Sequence, residues 1–190
     1  MNYYISDLHF SHSNILAYDN RPYFTTDEMN TALIDNWNIR VGNNDNVYIL
    51  GDMFWKNEGA IEILEELKGN KYLILGNHDR LSSEMKKRFV WVKEYAEIKD
   101  NSRHIIMSHY PIPFFKNMTR EDYYMLYGHV HKSWDYNMIQ TLKKQIESLY
   151  QVPCKMYNVG CMVEYMNYTP RTLDEIIKGS EDNGRILRNA

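Results

Sequence analysis

Tyr3-Tyr4-Ile5-Ser6-Asp7-Leu8-His9 decides how the rest of the chain is read, because a short apolar run ends on residue types that bind metals. The same unit recurs. Val47-Tyr48-Ile49-Leu50 leads into Gly51-Asp52, and Tyr72-Leu73-Ile74-Leu75 leads into Gly76-Asn77-His78-Asp79. Ile105-Ile106-Met107-Ser108 leads into His109, and Tyr124-Met125-Leu126-Tyr127 leads into Gly128-His129-Val130-His131. Near-continuous apolar runs of this length fit buried strands. Polar residues just past their C-terminal ends follow the rule that open α/β sheets build their sites there.

Between these runs lie helical patterns. Thr25 and Glu28 have capping-box spacing, after which Met29, Leu33 and Trp37 recur every four residues. A second helix is predicted from Ala60 to Lys68, with Ile61, Leu64 and Leu67 on one face and Gly69 as its stop. Ser82-Ser83-Glu84 opens a short third helix, Asn137 to Tyr150 reads as an amphipathic one, and Thr172 to Lys178 as a last one before a polar tail. Val90 to Lys99, the turn Asp100-Asn101-Ser102 and Arg103 to Ser108 read as a hairpin. No repeat or linker interrupts residues 1–190, so a single domain is expected.

Composition narrows the function classes. Hydrophobic residues make up 44% and charged residues 25%, the balance of an ordinary globular protein. The formal charge of −3 supplies no global basic field for nucleic acid. The 16 tyrosines are expected to be half-buried sheet packing rather than base-stacking platforms. Cys154 and Cys161 stand outside any CxxC spacing and cannot staple a chain of this size, which favours a reduced compartment. No apolar run approaches the roughly 18 residues a bilayer requires, and the first strand-like run starts at Asn2, leaving no room for a signal peptide. The expected location is the cytoplasm.

The residues at the strand ends carry the chemistry. Asp7, His9, Asp52, Asn77, His109, His129 and His131 combine carboxylates, imidazoles and an amide oxygen. Such a set suits Mn, Fe, Zn or Ni, whereas all-oxygen sets suit Mg and Ca. Seven ligands exceed what one tetrahedral or open catalytic ion takes, and fit two neighbouring ions sharing a carboxylate. Residues i and i+2 on extended backbone point to one side, so Asp7 with His9, and His129 with His131, are expected to face one cavity as pairs. Glycine before Asp52, Asn77 and His129 allows sharp turns and close approach. Taken singly, each of these residues is more often a turn, a cap or a core histidine; their joint fall at strand ends is what those readings do not predict.

The ordered series Asp7-Leu8-His9, Gly51-Asp52, Gly76-Asn77-His78-Asp79, Ser108-His109 and Gly128-His129-Val130-His131 resembles the calcineurin-like metallophosphoesterase superfamily, in particular its small bacterial and phage-type members. Asn158-Val159-Gly160 resembles the segment that follows the last histidine pair. The resemblance implies an α/β fold of two mixed β-sheets packed face to face and flanked by helices, a four-layer αββα sandwich. It also implies two divalent ions (manganese favoured) with water activated between them to hydrolyse a phosphate ester. In that reading Asp7, His9, Asp52 and His131 hold one ion, and Asp52, Asn77, His109 and His129 the other, with Asp52 bridging. His78 would stand beside the leaving group, with Asn77 and His78 at the substrate phosphate and Asp79 orienting His78.

Some residues are left with two readings. His12 would touch the substrate phosphate or cap the turn into Asn14-Ile15-Leu16, and Arg21 would clamp phosphate or stand as a surface charge. His104 reads as structural, and Lys86-Lys87-Arg88 and Lys143-Lys144 as solvated helix faces. Small members of the family include phosphodiesterases, phosphatases and nucleases, and some relatives are thought to be inactive protein-binding scaffolds. The scaffold alternative predicts loss of a ligand or of the leaving-group histidine, and these positions are intact here. The nuclease alternative needs a partner subunit. Lys132 to Lys155 has no assigned role.

Overall fold

A computed structural model of the chain describes residues 1–186, of which 183–186 are described by backbone alone. Four strands form the first sheet: β1 (Asn2–Ile5), β2 (Asn46–Leu50), β3 (Asn70–Ile74) and β4 (Trp91–Lys93), in that order. All three pairings are parallel. The second sheet runs β5 (Tyr95–Asp100), β6 (Arg103–Ser108), β7 (Tyr123–Tyr127) and β8 (Met156–Asn158), with β5–β6 antiparallel and the other pairs parallel. The expected α/β fold of two sheets flanked by helices is what the chain forms, one sheet being parallel and the other mixed.

The tyrosines show how the first sheet is held in register. Tyr4 pairs with Tyr48, Tyr48 with Tyr72, and Tyr72 with Trp91, one aromatic from each strand. Their rings stack at 5.5 Å and 4.7 Å and close with an edge-to-face contact at 5.3 Å. A one-residue slip would separate the whole row.

Side-chain alternation places the second sheet between two apolar layers. Ile105, Met107 and Leu126 join the main core with β1 and β2, while Ile106, Met125 and Tyr127 face the other way onto Ile146. Ile146 belongs to α5 (Trp134–Tyr150), which begins three residues before the expected Asn137 because Ser133 caps it by accepting from Asp135 N–H at 3.1 Å. Lys143 on this helix is not a solvated charge: its Nζ donates to the Met156 carbonyl at 2.6 Å. Lys86, Lys87 and Arg88 are exposed.

The first sheet is covered by α2 (Thr26–Arg40) and α3 (Ala60–Glu66). Thr25 caps α2 through Glu28 N–H at 3.1 Å and Glu28 answers by accepting from Phe24 N–H at 2.8 Å. Met29, Leu33 and Trp37 are buried, and Trp37 Nε1 donates to the Lys68 carbonyl just past α3 at 2.9 Å. Two short helices, α1 (Ser13–Tyr18) and α4 (Ser83–Lys86), sit in loops, and α6 (Leu173–Ile186) runs eight residues beyond the expected Lys178. The end of the expected polar tail, 187–190, lies outside the described residues.

The predicted hairpin is also corrected. Val90 to Lys99 is not one strand: the chain leaves the first sheet after Lys93 and enters the second at Tyr95. Only β5 turns back on β6, through Asn101 at φ +56°.

Candidate metal centre

The C-terminal ends of β1, β2, β3, β6 and β7 meet on one side of the molecule, and their loops are tied by backbone hydrogen bonds. Asp7 N–H donates to the Gly51 carbonyl at 3.0 Å, His9 N–H to Asp52 at 3.0 Å, and Gly128 N–H to His109 at 3.0 Å. The expected extended backbone at the paired ligands is not what holds them. Asp7 (φ +56°), His9 (+51°), Asp52 (+51°), His129 (+70°) and His131 (+46°) all lie in the left-handed region. That conformation costs an L residue roughly 1–2 kcal/mol and is tolerated where surrounding structure enforces it.

Two glycines make the approach possible. A Cβ at Gly76 would lie 2.2 Å from Asp52 Oδ1, and one at Gly128 would lie 2.0 Å from Ser6 Oγ and 2.6 Å from Asp7 Oδ2. Ser6 itself is fixed by donating to the Leu50 carbonyl at 2.7 Å.

The candidate ligand atoms converge. His9 Nε2 lies 3.3 Å from His131 Nε2 and 3.7 Å from Asp52 Oδ2, and His131 Nε2 lies 3.7 Å from Asp7 Oδ1. On the other side, Asp52 Oδ2 is 3.5 Å from His109 Nε2, which is 3.1 Å from Asn77 Oδ1. The His129 ring stands 5.0 Å from that of His109. A single oxygen, Asp52 Oδ2, therefore faces His9 and His109 together. Asp7 also belongs to both groups of mutually close donors, Asp7–His9–His131 and Asp7–Asp52–His109.

Electrostatics suit cations. Burial opposes charge on Asp52, but the His109 hydrogen bond, the His109 charge and the His78 N–H outweigh it and hold the carboxyl at about 2. Burial lowers His9 to about 2, keeping the ring neutral, with one nitrogen bearing a proton and the other a free lone pair. Burial would also lower His109, yet Asp52, Asp7 and the Leu50 carbonyl lift it to about 9. His9 Nδ1 is buried without a hydrogen-bond partner, and the cradle holds no thiolate. Nitrogen and carboxylate donors packed this closely fit divalent ions of the Mn, Fe, Zn or Ni type.

Arg21 and Asp19 form a support that the sequence did not reveal. His131 Nδ1–H donates to Asp19 Oδ1 at 2.7 Å, which leaves Nε2 turned into the site. Asp19 Oδ2 accepts from Arg21 Nε at 3.1 Å and Nη2 at 2.9 Å, and Arg21 donates further to the Asp7 and Leu8 carbonyls at 2.8 Å each. Arg21 is buried. It is neither a phosphate clamp nor a surface charge: it anchors the loop that carries Asp7. His109 is set in the same way, its Nδ1–H donating to the Leu50 carbonyl at 2.8 Å.

Asp79 also departs from expectation. Its carboxylate accepts from Asp52 N–H at 2.9 Å, Met53 N–H at 3.0 Å and Gly76 N–H at 2.8 Å, tying the loops after β2 and β3 together rather than holding the His78 ring. His78 is half-exposed, with Nε2 3.9 Å from Asp52 Oδ2 and its N–H on Asp52 Oδ1 at 2.9 Å. His12 precedes α1 but makes no side-chain cap; its ring lies flat on Trp55, 3.7 Å between centroids and 2° between planes. His104 stacks on Tyr123 at 4.4 Å on β6 and β7, apart from the site. A cavity of about 260 Å³ opens over the cluster, bounded by His12, Ile15, Tyr18, Trp55 and His78 beside the candidate ligands.

A family model described as calcineurin-like phosphoesterase matches residues 3–148. The chain is 37% identical over 191 residues to an uncharacterized protein of Methanocaldococcus jannaschii, covering 98% of this chain and 94% of that one. It is 36% identical over 81 residues to the gene 66 protein of Mycobacterium phage L5, 40% of this chain and 39% of that protein. Among solved structures, a protein of unknown function from Aquifex aeolicus superposes with a TM-score of 0.70 at 25% identity, covering 94% of this chain and 98% of that one.

Proposed function

Since this chain belongs to the calcineurin-like phosphoesterase family, we propose that it hydrolyses a phosphate ester at a centre of two divalent cations held by Asp7, His9, Asp52, Asn77, His109, His129 and His131. The observation that carries this reading is the placement of Asp52 Oδ2 within 3.7 Å of His9 Nε2 and 3.5 Å of His109 Nε2. One carboxylate is then close enough to serve both halves of the cluster.

When bound, a pair of such ions would supply a water of lowered pKa and would draw charge from the phosphoryl oxygens. The remaining work falls to the chain. Asn77 presents its amide at the phosphoryl group, where charge accumulates in the transition state. His78 stands half-exposed at the edge of the cluster and gives its proton to the departing oxygen. Asp79 keeps the Asp52 and His78 loops in fixed relation through its three N–H bonds. Asp19 and Arg21 hold His131 and the Asp7 backbone, so two ligands are set before any ion arrives. Manganese is the proposed ion, and the cytoplasm the proposed location, in keeping with two free buried cysteines. No helix of the described residues is long and apolar enough to cross a membrane.

The test is a metal-stripped preparation reloaded with Mn²⁺, Fe²⁺, Zn²⁺ or Ni²⁺ and assayed on bis-p-nitrophenyl phosphate and p-nitrophenyl phosphate, with Asp52→Asn as control. Ion-dependent release of nitrophenol, lost in Asp52→Asn together with ion binding, is the expected result. No release with any ion, from protein that binds the ions, would favour the scaffold reading.

A further inference from the structure

The wall of the cavity beside His78 is built of rings that the metal cluster does not require. Trp55 follows Asp52 by three residues, and its neighbour Phe54 already fills the core, bridged to Phe10 with their rings 5.5 Å apart. The indole turns outward instead and stays 39% exposed. It is not loosely placed: Trp55 N–H donates to the Phe10 carbonyl at 3.1 Å, which fixes the loop that presents it. His12, from the adjoining loop, lies parallel to the indole at 3.7 Å, and His78 tilts against it at 4.6 Å. Ile15 and Tyr18, both from α1, add further apolar and aromatic surface to the same cavity.

Two properties of this wall select a ligand. The first is shape. Parallel rings at stacking distance present a flat face on which a further planar ring gains area and an offset stack. The second is charge. Among the described residues, no Lys or Arg lines the cavity, and the chain carries −3 overall. A polymer-binding groove needs basic side chains along the path of the backbone; a single neutral ring does not.

We infer that the site takes small nucleotide-type phosphate esters, with the nucleobase stacked on the Trp55–His12 pair while the phosphate meets the cluster. This inference rests on the hydrolytic reading above. It makes Trp55 the residue that sets which esters bind, separate from the residues that act on phosphorus.

The experiment is calorimetric titration of Mn²⁺-loaded protein with adenosine monophosphate and, in parallel, with ribose phosphate. The nucleotide is expected to bind roughly 5- to 150-fold more tightly, the range that one base stacked on an aromatic side chain supplies. Trp55→Ala should bring the two ligands within about twofold of each other, with ion content and ribose phosphate affinity retained; Trp55→Phe should keep most of the preference. If Trp55→Ala does not fold, His12→Ala reads out the same stack. Equal affinity of the two ligands for the unaltered protein, or a preference that survives Trp55→Ala, overturns the inference. So does a short single-stranded oligonucleotide that binds more tightly than the mononucleotide and falls off steeply with salt. Hydrolysis of bis-p-nitrophenyl phosphate is measured alongside. If that activity is present and the nucleotide preference is absent, the base-stacking inference alone has failed; if no ester is cleaved with any ion, the hydrolytic reading has failed.

Discussion

Asp19→Asn asks whether a buried carboxylate behind the cluster sets the affinity of one ion. The Asp19 side chain is 1% exposed and that of Arg21 is 0% exposed. One carboxylate oxygen takes the His131 Nδ1 proton at 2.7 Å, and the other takes two Arg21 donors at 3.1 Å and 2.9 Å. Asparagine supplies one acceptor oxygen and one donor group. Facing Arg21 with the oxygen turns an NH₂ toward His131; facing His131 with the oxygen turns an NH₂ toward the guanidinium. Either way one partner is lost, while Arg21 keeps the Asp7 and Leu8 carbonyls at 2.8 Å. Loss of a carboxylate that orients a metal-binding histidine lowers affinity by about 10- to 100-fold, roughly 1.4 to 2.7 kcal/mol. Titration of Mn²⁺ into stripped protein should then resolve two classes of site, one weakened by that factor and one kept. Asp19→Ala is the contrast: it strands a buried guanidinium, costs about 3–5 kcal/mol of stability, and shows as a lowered Tm. An Asn variant that melts like the parent and binds both ions as tightly would refute the reasoning. Equal weakening of both classes would place the effect in the fold rather than in His131.

His78→Ala should leave ion content intact and lower turnover roughly 10²- to 10⁴-fold on esters with poor leaving groups, with a smaller loss on nitrophenyl esters; equal losses on both would remove His78 as proton donor. Gly128→Ala drives a methyl group into Ser6 Oγ and Asp7 Oδ2. The expected cost is about 1–3 kcal/mol, a Tm fall of roughly 2–12 °C by calorimetry, with weakened ion binding at Asp7; an unchanged Tm would mean the loop gives way without strain. Ion uptake should strengthen with pH. His109, lifted to about 9 in the ion-free protein, must lose its proton to ligate, so affinity should rise about tenfold per pH unit below that value and level off above it. A flat affinity profile between neutrality and that value would exclude His109 as a ligand.

The strands that carry the candidate ligands were legible because each apolar run is largely buried and ends where polarity begins; Ile49, Leu50 and then Asp52 are all buried, and only the last is polar. What was not legible depends on distant contacts. Nothing in Val90 to Lys99 marks Glu94 as the point where the chain changes sheets, since Trp91 follows the aromatic row of the first sheet and Ala96 and Ile98 pack into the core with the second. Asp19 and Arg21 look like loop charges until folding brings His131 beside them, 112 residues away in sequence. Their close spacing, two residues on either side of Asn20 at φ +50°, is a signal available only in retrospect. Asp79 lies beside His78 in sequence, but its neighbours in space are backbone amides of two loops. Residue types reveal which groups could bind an ion; they do not reveal which groups steady them.

The left-handed backbone at Asp7, His9, Asp52, His129 and His131 also bears on how such a chain can change. Glycine at any of these positions would ease the local conformation while deleting a donor atom, so the fold gains by becoming inert there. Aspartate and histidine at all five positions hold the backbone away from its most relaxed form.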